Sequence, residues 1–440
     1  MRKDVLLVIV LAMVCRLLVY ACALNYDRND RPTRFAFTNP DALTYDQLAL
    51  NLAQYGVYSE SADPHALAPA AERGPGYPAF IALVYRVLGH QPQAAILLQI
   101  ILSALTAGIV CIIGYSLGGR VAGLASGLLL AIDLPSIIYA NLLLTETLSA
   151  LIILITVWLL LLGWQASGMR HMFLLLATGV MAGIAAYVRT ASVLWPAVLI
   201  GCNAIYSRQA SRSLKGAAYI VVGFVVVLTP WVVRNNVIFG EPGFSSGAGN
   251  CLLYFNAGVV MSAKQGLRTS DAVSPPERQA AARLAGTPDA AFADSRIKTD
   301  MALNILRDNK ALTARLFVKC FVRTLLGPSR GYLTELFPYP GLVAVLSGAL
   351  GTLCFVLAIW GVQIMVHRPE QRALAFLIAL SLVYAGAVAF LQGYSRFRIP
   401  YIPLLTLAAG MGIHSICSVV TGRNRPLQYG TTCATEPGQE

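Results

Sequence analysis

The sequence predicts an all-α polytopic membrane protein of about ten transmembrane helices, with further juxtamembrane helices on the extracytoplasmic side. Three observations support this prediction. The 440-residue chain is 57% apolar and only 12% charged, whereas soluble domains carry roughly 25% charged residues. Its mean hydropathy is +0.64. Its apolar residues gather into runs of about 20, the length that crosses a bilayer as a helix.

Ten apolar runs are candidates for membrane spans. Their approximate limits are 5–24, 94–117, 121–140, 146–163, 172–188, 191–206, 216–233, 341–365, 373–391 and 401–420. The first run follows the short basic stretch MRKD, as the core of a secretory signal would. It is longer than the roughly 7 to 15 residues of such a core. We therefore expect it to remain as an uncleaved anchor.

The basic residues predict how the spans are oriented. The net charge of +12 is scattered between membrane segments rather than gathered on one soluble domain, which argues against nucleic acid as a partner. Basic residues occupy every second connection, as the positive-inside rule requires. They are Arg2, Lys3, Arg120, Arg170, Arg208, Arg212, Lys215, Arg368, Arg372, Arg423 and Arg425. Both termini are then cytoplasmic, and the two long connections lie outside.

This orientation divides the chain into six parts. They are a membrane anchor at 1–24, an outer loop with a juxtamembrane helix at 25–93, spans two to seven at 94–233, a second outer segment at 234–340, spans eight to ten at 341–420, and a cytoplasmic tail at 421–440. The tail is polar without an apolar period, and we expect it to be disordered. Nine cysteines lie at irregular spacing, without the pattern of a disulfide framework or a metal site.

The first outer part contains a predicted helix at the membrane surface, in the stretch TNPDALTYDQLALNLAQYGVYSE. Apolar residues recur there at helical spacing and form one stripe that ends near Gly56. They are Tyr45, Leu48, Leu52 and Tyr55. Asp41 comes directly before this helix, and Asp46 is expected on its solvated face. Either Asp41 or Thr44 caps the amides of the first turn, or the Asp41 carboxylate performs chemistry at the membrane surface.

The second outer part contains a predicted basic amphipathic helix, in the stretch ALTARLFVKCFVRTLLGP. Arg315, Lys319 and Arg323 fall four residues apart and share one helical face. A helix of this kind suits the lipid headgroup layer, near anionic phosphates. A solvated face packed on the rest of the domain explains the same pattern nearly as well.

Four arginines lie at the outer ends of spans, where the positive-inside rule predicts few. They are Arg189, Arg234, Arg396 and Arg398. Snorkelling to the interface would place them there without any function. Alternatively, their forked guanidinium groups converge on a phosphate at the outer surface. We favour convergence, because such exceptions recur at separate helix ends. Arg16, inside the first span, has no explanation at this level.

Glu146 lies near the outer face, in the stretch DLPSIIYANLLLTETL. An unpaired carboxylate at that depth is costly, so we expect Glu146 to have a partner. A salt bridge or cap at the start of span four and a contact with substrate are equally good explanations of this residue.

Six stretches that follow one another along residues 1 to about 420 resemble a known family. They are PDALTYDQLALNLAQYGVYS, ERGPGYPAFIALVYRVLG, LLTETL, RTASVLWP, PWVVRNNVIFG and YSRFRIPYIPLLTLAAG. The chain resembles an integral membrane glycosyltransferase of the GT-C fold, and more narrowly the bacterial branch related to protein O-mannosyltransferases and lipid A aminoarabinose transferases. The resemblance lies in the order of the stretches and the topology, since no single motif is diagnostic.

Members of this family pass a sugar from a polyprenyl-phosphate carrier to an acceptor outside the membrane, with inversion at the anomeric carbon. The resemblance implies that Asp41 is the general base and that the helix from Thr44 to Gly56 holds it at the membrane surface. The outer arginines and the residues of these stretches are the expected substrate-binding set. They are Tyr45, Arg73, Tyr77, Glu146, Arg189, Arg234, Asn235, Tyr394, Arg396 and Arg398.

The partners implied are a polyprenyl-phosphate-sugar donor, membrane lipids, and an envelope glycan, lipid or protein as acceptor, in the bacterial plasma membrane. No cofactor is expected besides the donor. Many relatives carry a second acidic or polar residue after the catalytic Asp, where this chain has Ala42, and a metal requirement stays open. The alternative function is a lipid or solute transporter, although transporters usually place ionisable residues near the bilayer midplane and show repeated halves.

Overall fold

The protein is built almost entirely from helices in the computed structural model, with no strand among the residues that it describes. Those residues are 1–28, 34–207, 209–266, 290–327 and 330–421. The predicted tail from 422 onward lies outside them. The helices are α1 (Arg2–Arg28), α2 (Pro40–Tyr55), α3 (Gly76–Leu88), α4 (Pro92–Ala131), α5 (Leu134–Ala140), α6 (Glu146–Gln165), α7 (Gly168–Val188), α8 (Trp195–Ser207), α9 (Ala210–Phe239), α10 (Gly247–Asn250), α11 (Gly258–Gln265), α12 (Ala290–Asp308), α13 (Lys310–Leu326), α14 (Arg330–Leu336), α15 (Pro340–His367), α16 (Arg372–Ala389) and α17 (Ile402–Val420).

Nine helices of the described chain are long and apolar enough to cross a membrane, whereas the sequence predicts ten spans. The difference lies in the 40-residue α4, whose backbone leaves the helical conformation at Gly118 and Gly119. Gly119 has a φ of 72°, which glycine adopts without steric cost. The chain reverses there, so the first leg of α4 corresponds to the predicted second span, and the second leg covers only the first part of the predicted third span, 121–140, whose remainder lies in α5.

The two legs of α4 pack closely because small residues line their contact. A Cβ atom placed on Gly114 would lie 2.9 Å from the Cα of Gly123, and one on Gly127 would lie 2.9 Å from the Cβ of Cys111. Small residues allow helix backbones to approach in a membrane, where dispersion contacts replace the hydrophobic effect. Within the described residues, nine helices thus take the place of the ten predicted spans, and the predicted third span, 121–140, is divided between the second leg of α4 and α5.

Arg16 has a structural explanation that the sequence did not supply. Its guanidinium is fully buried and donates to the Ser103 hydroxyl at 2.7 Å and to the carbonyls of Ala12 and Ala131 at 3.0 and 3.1 Å. Because α4 ends at Ala131, its last carbonyls have no partner within the helix. Arg16 satisfies this helix end, and in return its buried charge gains hydrogen bonds.

The helix ends sort into two groups, as the predicted topology requires. At the end predicted to be cytoplasmic, Asp4 pairs with Arg120 at 3.0 Å, and the Gln371 side chain donates to the carbonyl of Leu117 at 3.0 Å. The opposite end holds α2, α3, the start of α6 and the end of α7. Which of the two ends faces the cytoplasm stays a prediction.

The surface helix α2 starts earlier than predicted, at Pro40 rather than Thr44. Asn39 is its cap, because the Asn39 side-chain oxygen accepts from the backbone N–H of Asp41 at 3.0 Å. Neither Asp41 nor Thr44 has that role, and Asp41 lies inside the first turn. The predicted end is confirmed, since Gly56 closes the helix with a φ of 70°. The Asp41 carboxylate is thus free for other contacts.

The basic amphipathic helix is confirmed as α13. Arg315, Lys319 and Arg323 are exposed along it, whereas Cys320 and Thr324 are buried on the opposite face. A contact between this basic face and lipid headgroups stays a prediction.

Candidate active site

The Asp41 carboxylate lies between two arginines that come from distant parts of the chain. Its Oδ1 accepts from Nη2 of Arg73 at 2.9 Å, and its Oδ2 accepts from Nη1 of Arg396 at 2.8 Å. Arg73 precedes α3, whereas Arg396 lies 355 residues away from Asp41 along the chain. Each carboxylate oxygen therefore forms a separate charge-assisted hydrogen bond, which is stronger than a neutral one.

The surroundings of Asp41 favour its ionised form. Burial raises the pKa of this carboxyl, but the charges of Arg396 and Arg73 lower it further than burial raises it. The net direction is downward, so Asp41 is a carboxylate at neutral pH and has the capacity to accept a proton. The two arginines also make it a weaker base than a solvated aspartate.

Glu146 has the partner that the sequence predicted. Its Oε1 accepts from Nη1 of Arg189 at 2.8 Å, and the same nitrogen donates to the Thr145 hydroxyl at 3.1 Å. The side chain of Glu146 is 2% exposed and that of Arg189 is 11% exposed. This is a buried ion pair at the start of α6, and it matches the salt bridge that was one of the two explanations of Glu146 from the sequence.

Arg396 joins the two ion pairs into one cluster. Its Nε lies 3.9 Å from Oε1 of Glu146 while its Nη1 binds Asp41. The centre of the Phe397 ring lies 5.0 Å from the guanidinium carbon of Arg189 and 5.5 Å from that of Arg396. We call Asp41, Arg73, Glu146, Arg189 and Arg396 the charged cluster.

Two glycines before α3 allow Arg73 to reach this cluster. A Cβ on Gly74 would lie 2.4 Å from the carbonyl oxygen of Tyr187, and one on Gly76 would lie 2.8 Å from the carbonyl carbon of the same residue. Only glycine permits so close a backbone approach. The segment that carries Arg73 therefore docks against the end of α7, from which Arg189 extends.

Arg234 and Asn235 lie outside the charged cluster and hold backbone segments. Arg234 donates to the carbonyl of Ala70 at 2.7 Å and lies 4.6 Å from the centre of the Trp231 ring. Asn235 is fully buried and donates to the carbonyl of Gly243 at 2.8 Å. Arg234 therefore acts on the segment that carries Arg73, and the predicted convergence of four arginines does not include it.

Arg398 and Tyr394 also lie apart from the cluster. The guanidinium of Arg398 is buried and donates to the backbone carbonyls of Leu325 and Thr324, at the end of α13. Tyr394 is 48% exposed. Of the four outer arginines, the structure thus brings together Arg189 and Arg396, and it adds Arg73 to them.

The other two predicted tyrosines, Tyr45 and Tyr77, support the cluster from α2 and α3. The ring of Tyr45 lies 5.0 Å from the Arg73 guanidinium and packs edge-on against Tyr77 at 5.0 Å. Tyr77 is fully buried, and its hydroxyl donates to the Gln99 side chain. Gln99 in turn donates to the carbonyl of Leu142 at 2.9 Å, and so Tyr77 helps to fix the turn before Glu146.

Sequence reasoning missed several residues around the cluster. Thr145 and Phe397 stand inside the quoted stretches LLTETL and YSRFRIP, but nothing in their type marked them out. Asn39 caps α2 and also donates to the hydroxyl of Tyr332 at 3.0 Å, and the Tyr332 ring packs edge-on against Tyr139 at 5.7 Å. These two aromatic residues come from α14 and α5, and no local signal connects them.

Asp46 corrects a prediction, because it does not lie on a solvated face. It accepts from the Tyr85 hydroxyl, and its Oδ1 lies 3.0 Å from Nε2 of His90. The side chain is 16% exposed. Asp46 therefore ties α2 to α3, and a change there would disturb the element that carries Asp41.

The charged cluster contains three guanidinium groups and two carboxylates, and the carboxylates of Glu72 and Glu60 also act on Arg73. The Nε atoms of Arg73 and Arg396 are buried without a hydrogen-bond partner among the described residues, although buried N–H groups nearly always have one. No group of three or more metal-ligating side chains occurs in the described part of the chain.

The fold and this site together define a class. The described helices form a polytopic all-α membrane protein of the GT-C type, with a carboxylate on a surface helix at one end of the bundle. This is the fold that the resemblance predicted. Residues 72–233 match the family described as dolichyl-phosphate-mannose-protein mannosyltransferase, and this match includes Arg73, Glu146 and Arg189.

Comparison with solved structures supports this fold. The chain is similar to the archaeal oligosaccharyltransferase AglB of Archaeoglobus fulgidus, solved in complex with an inhibitory peptide and a dolichol-phosphate. The identity is 13% and the TM-score is 0.54, and the match covers 96% of this chain and 53% of that one. The apo form of an oligosaccharyltransferase from that organism matches at 12% identity and a TM-score of 0.53, over 95% and 52%. The chain thus spans about half the length of these enzymes.

A weaker likeness links the chain to ArnT from Cupriavidus metallidurans bound to undecaprenyl phosphate, at 13% identity and a TM-score of 0.43, over 92% of this chain and 77% of that one. A comparison with curated proteins found no significant match.

Proposed function

We propose that this protein is an inverting glycosyltransferase that moves a sugar from a polyprenyl-phosphate carrier to an acceptor at the outer face of the bacterial plasma membrane. The observation that supports this most directly is the position of Asp41, an ionised carboxylate in the first turn of a surface helix, held between the guanidinium groups of Arg73 and Arg396. The family match over residues 72–233 supports a transferase.

Asp41 would act as the general base. It takes the proton from an acceptor hydroxyl or amine as that group attacks the anomeric carbon, and the bond from this carbon to the phosphate oxygen breaks on the opposite face. A single displacement of this kind inverts the anomeric centre. The carbon–oxygen electron pair leaves with the carrier phosphate, and the proton stays on Asp41.

Arg73, Arg396 and Arg189 would hold the donor phosphate. Their guanidinium groups can bind phosphate oxygens in pairs, and fixed cations stabilise the charge that develops on the leaving phosphate. The dolichol-phosphate in the AglB complex is a lipid phosphate of the class that we propose here. Phosphate binding would also draw Arg73 or Arg396 away from Asp41 and so make Asp41 a stronger base.

The cluster also argues against a transporter. Transporters concentrate their ionisable residues near the middle of the bilayer, whereas the charged cluster lies at helix ends. Two charged residues that lie inside predicted spans have structural partners: Arg16 is bound to backbone carbonyls, and Asp133 caps α5. We therefore favour the glycosyltransferase.

Envelope glycans would test this proposal. A strain that lacks the protein should lose one sugar modification from its lipopolysaccharide, wall glycan, lipid or glycoprotein fraction, detected by mass spectrometry. Expression of the wild-type chain should restore the modification, and expression of Asp41→Asn should not. A deletion strain with unchanged glycans and altered uptake or export of a lipid would instead support the transporter.

A further inference from the structure

The backbone is strained just before Arg396. Phe390, which follows α16, has a φ of 42° and a ψ of −111°, and it is the non-glycine residue with positive φ in the described chain. Side chains with a Cβ rarely adopt this conformation, and it persists only where the surroundings enforce it. Gly393, with a φ of 63°, completes the turn. The segment 395–401, which carries Arg396, follows at once.

A second unusual backbone segment lies against this turn. Residues Cys251–Ala257 form a π-helix, a conformation that is rare in proteins and often occurs at functional sites. It belongs to the second outer part of the chain, far from Phe390 in sequence.

Asn256 joins the two segments. Its side-chain oxygen accepts from the backbone N–H of Leu391 at 3.0 Å, and its side-chain nitrogen donates to the carbonyl of Cys251 at 2.8 Å. The Gln392 side chain adds a second link, because it donates to the Cys251 sulfur at 3.0 Å. Asn256 is only 2% exposed, so these bonds do not compete with water.

The strained turn is also fixed from its other side. The ring of Phe390 packs against Phe317 of α13, with ring centres 5.7 Å apart. Phe390 is thus held by packing and Leu391 by hydrogen bonding. Four residues separate Leu391 from Arg396, whose Nη1 lies 2.8 Å from Oδ2 of Asp41.

We propose that Asn256 is a positioning residue, which holds the turn 390–393 against the π-helix and thereby keeps Arg396 between Asp41 and Glu146. Asn256 does not itself touch the reacting groups. Its consequence for catalysis rests on the proposed function, but its effect on Arg396 does not.

A structural role without positioning would also make Asn256 sensitive to change, so the test measures coupling. Asn256→Ala and Arg396→Ala are made singly and together, and the affinity for a long-chain polyprenyl phosphate is measured in lipid nanodiscs. If Asn256 acts through Arg396, Asn256→Ala weakens binding roughly 3- to 30-fold in the wild-type background and less than about twofold in the Arg396→Ala background.

Asn203 supplies a matched control. It is 1% exposed, accepts from the Trp164 ring nitrogen at 3.2 Å and donates to the carbonyl of Ser213 at 3.4 Å, on helices away from the charged cluster. Asn203→Ala should leave the affinity unchanged in both backgrounds. If Asn256→Ala folds poorly, Gln392→Ala replaces it, because it breaks only the second link to Cys251.

Thermal unfolding of the same variants provides a readout that needs no ligand. Positioning predicts that the shifts in unfolding temperature of Asn256→Ala and Arg396→Ala are non-additive, while those of Asn203→Ala and Arg396→Ala add. Additive shifts for both pairs would overturn the positioning role. A wild-type chain that binds no polyprenyl phosphate but shows the coupling in unfolding would contradict the proposed function and leave the role of Asn256 standing.

Discussion

Replacement of Glu146 by glutamine measures how much the buried ion pair of Glu146 and Arg189 contributes to stability. The Glu146 and Arg189 side chains are 2% and 11% exposed, and their charged atoms lie 2.8 Å apart. Removal of one partner from a buried pair leaves an uncompensated charge and costs about 3–5 kcal/mol of stability. Glutamine keeps the shape of the side chain and one acceptor for Arg189. We therefore expect Glu146→Gln to lower the free energy of unfolding by about 3 kcal/mol, near the lower end of this range.

The matched control is the exposed ion pair of Glu241 with Arg296. These atoms lie 2.6 Å apart, but Arg296 is 62% exposed, and such surface pairs contribute about 0–1 kcal/mol. Glu241→Gln should therefore leave stability nearly unchanged. The double variant Glu146→Gln with Arg189→Gln should recover most of the loss, because it removes both charges of this pair.

Unfolding in detergent micelles or nanodiscs, followed by fluorescence, measures these effects. The reasoning is refuted if Glu146→Gln is as stable as Glu241→Gln, or if the double variant loses as much stability as the two single variants combined. Either result would mean that Glu146 and Arg189 are not coupled in the folded protein. It would also return Glu146 to the role of a substrate contact alone.

The other predictions concern topology, phosphate binding and pH. A reporter that is active only outside the cytoplasm should work when fused after residue 60 or 290 and fail after 212 or 370, and activity at 212 would reverse the orientation. Arg396→Ala should weaken binding of polyprenyl phosphate by about tenfold or more. Arg398→Ala, which leaves carbonyls at the end of α13 without a donor, should lower the unfolding temperature with little change in affinity. Equal losses of affinity in the two variants would contradict the separate roles of Arg396 and Arg398. The pKa of Asp41 is lowered, so its ion pairs are complete above the ordinary aspartate pKa and are lost only as the pH falls through the lowered value. We therefore expect kcat/KM to stay level down to about pH 4. A fall in kcat/KM on the acid side near pH 6 would indicate another base.

The membrane spans were predictable because each depends on a local property of the sequence. A run of about 20 apolar residues is its own signal, and Gly56 marked the end of α2 through the same local logic. The start of α2 was predicted wrongly because Asp41, Thr44 and Asn39 are all good capping residues. Backbone geometry, which places Asn39 at the cap, decides between them.

The charged cluster was predictable only in part. Arg189 and Arg396 violated the charge bias of outer connections, and Glu146 required a partner, so each residue signalled that it was unusual. Which of them meet depends on how distant helix ends pack. Arg234 and Arg398 gave the same signal, but the structure pairs them with backbone carbonyls.

Arg16 and Asp46 show what a pattern of residue types cannot reveal. The partners of Arg16 are carbonyl oxygens at the break after Ala131, and any sequence offers carbonyl oxygens. Asp46 lies on a helical face that reads as polar, but Tyr85 and His90 of the neighbouring segment cover it. In both cases, long-range packing supplies the partner.

The most direct test of the general base is Asp41→Asn. Turnover is measured in membranes from a deletion strain that supply both donor and acceptor, and Glu241→Gln serves as the control. Asparagine keeps the size of the side chain but cannot take a proton, so we expect transfer to fall by roughly 100-fold or more. Binding of polyprenyl phosphate should be unchanged or tighter, because Arg73 and Arg396 are released from the carboxylate. Near-normal turnover in Asp41→Asn would contradict the assignment of Asp41 as the base.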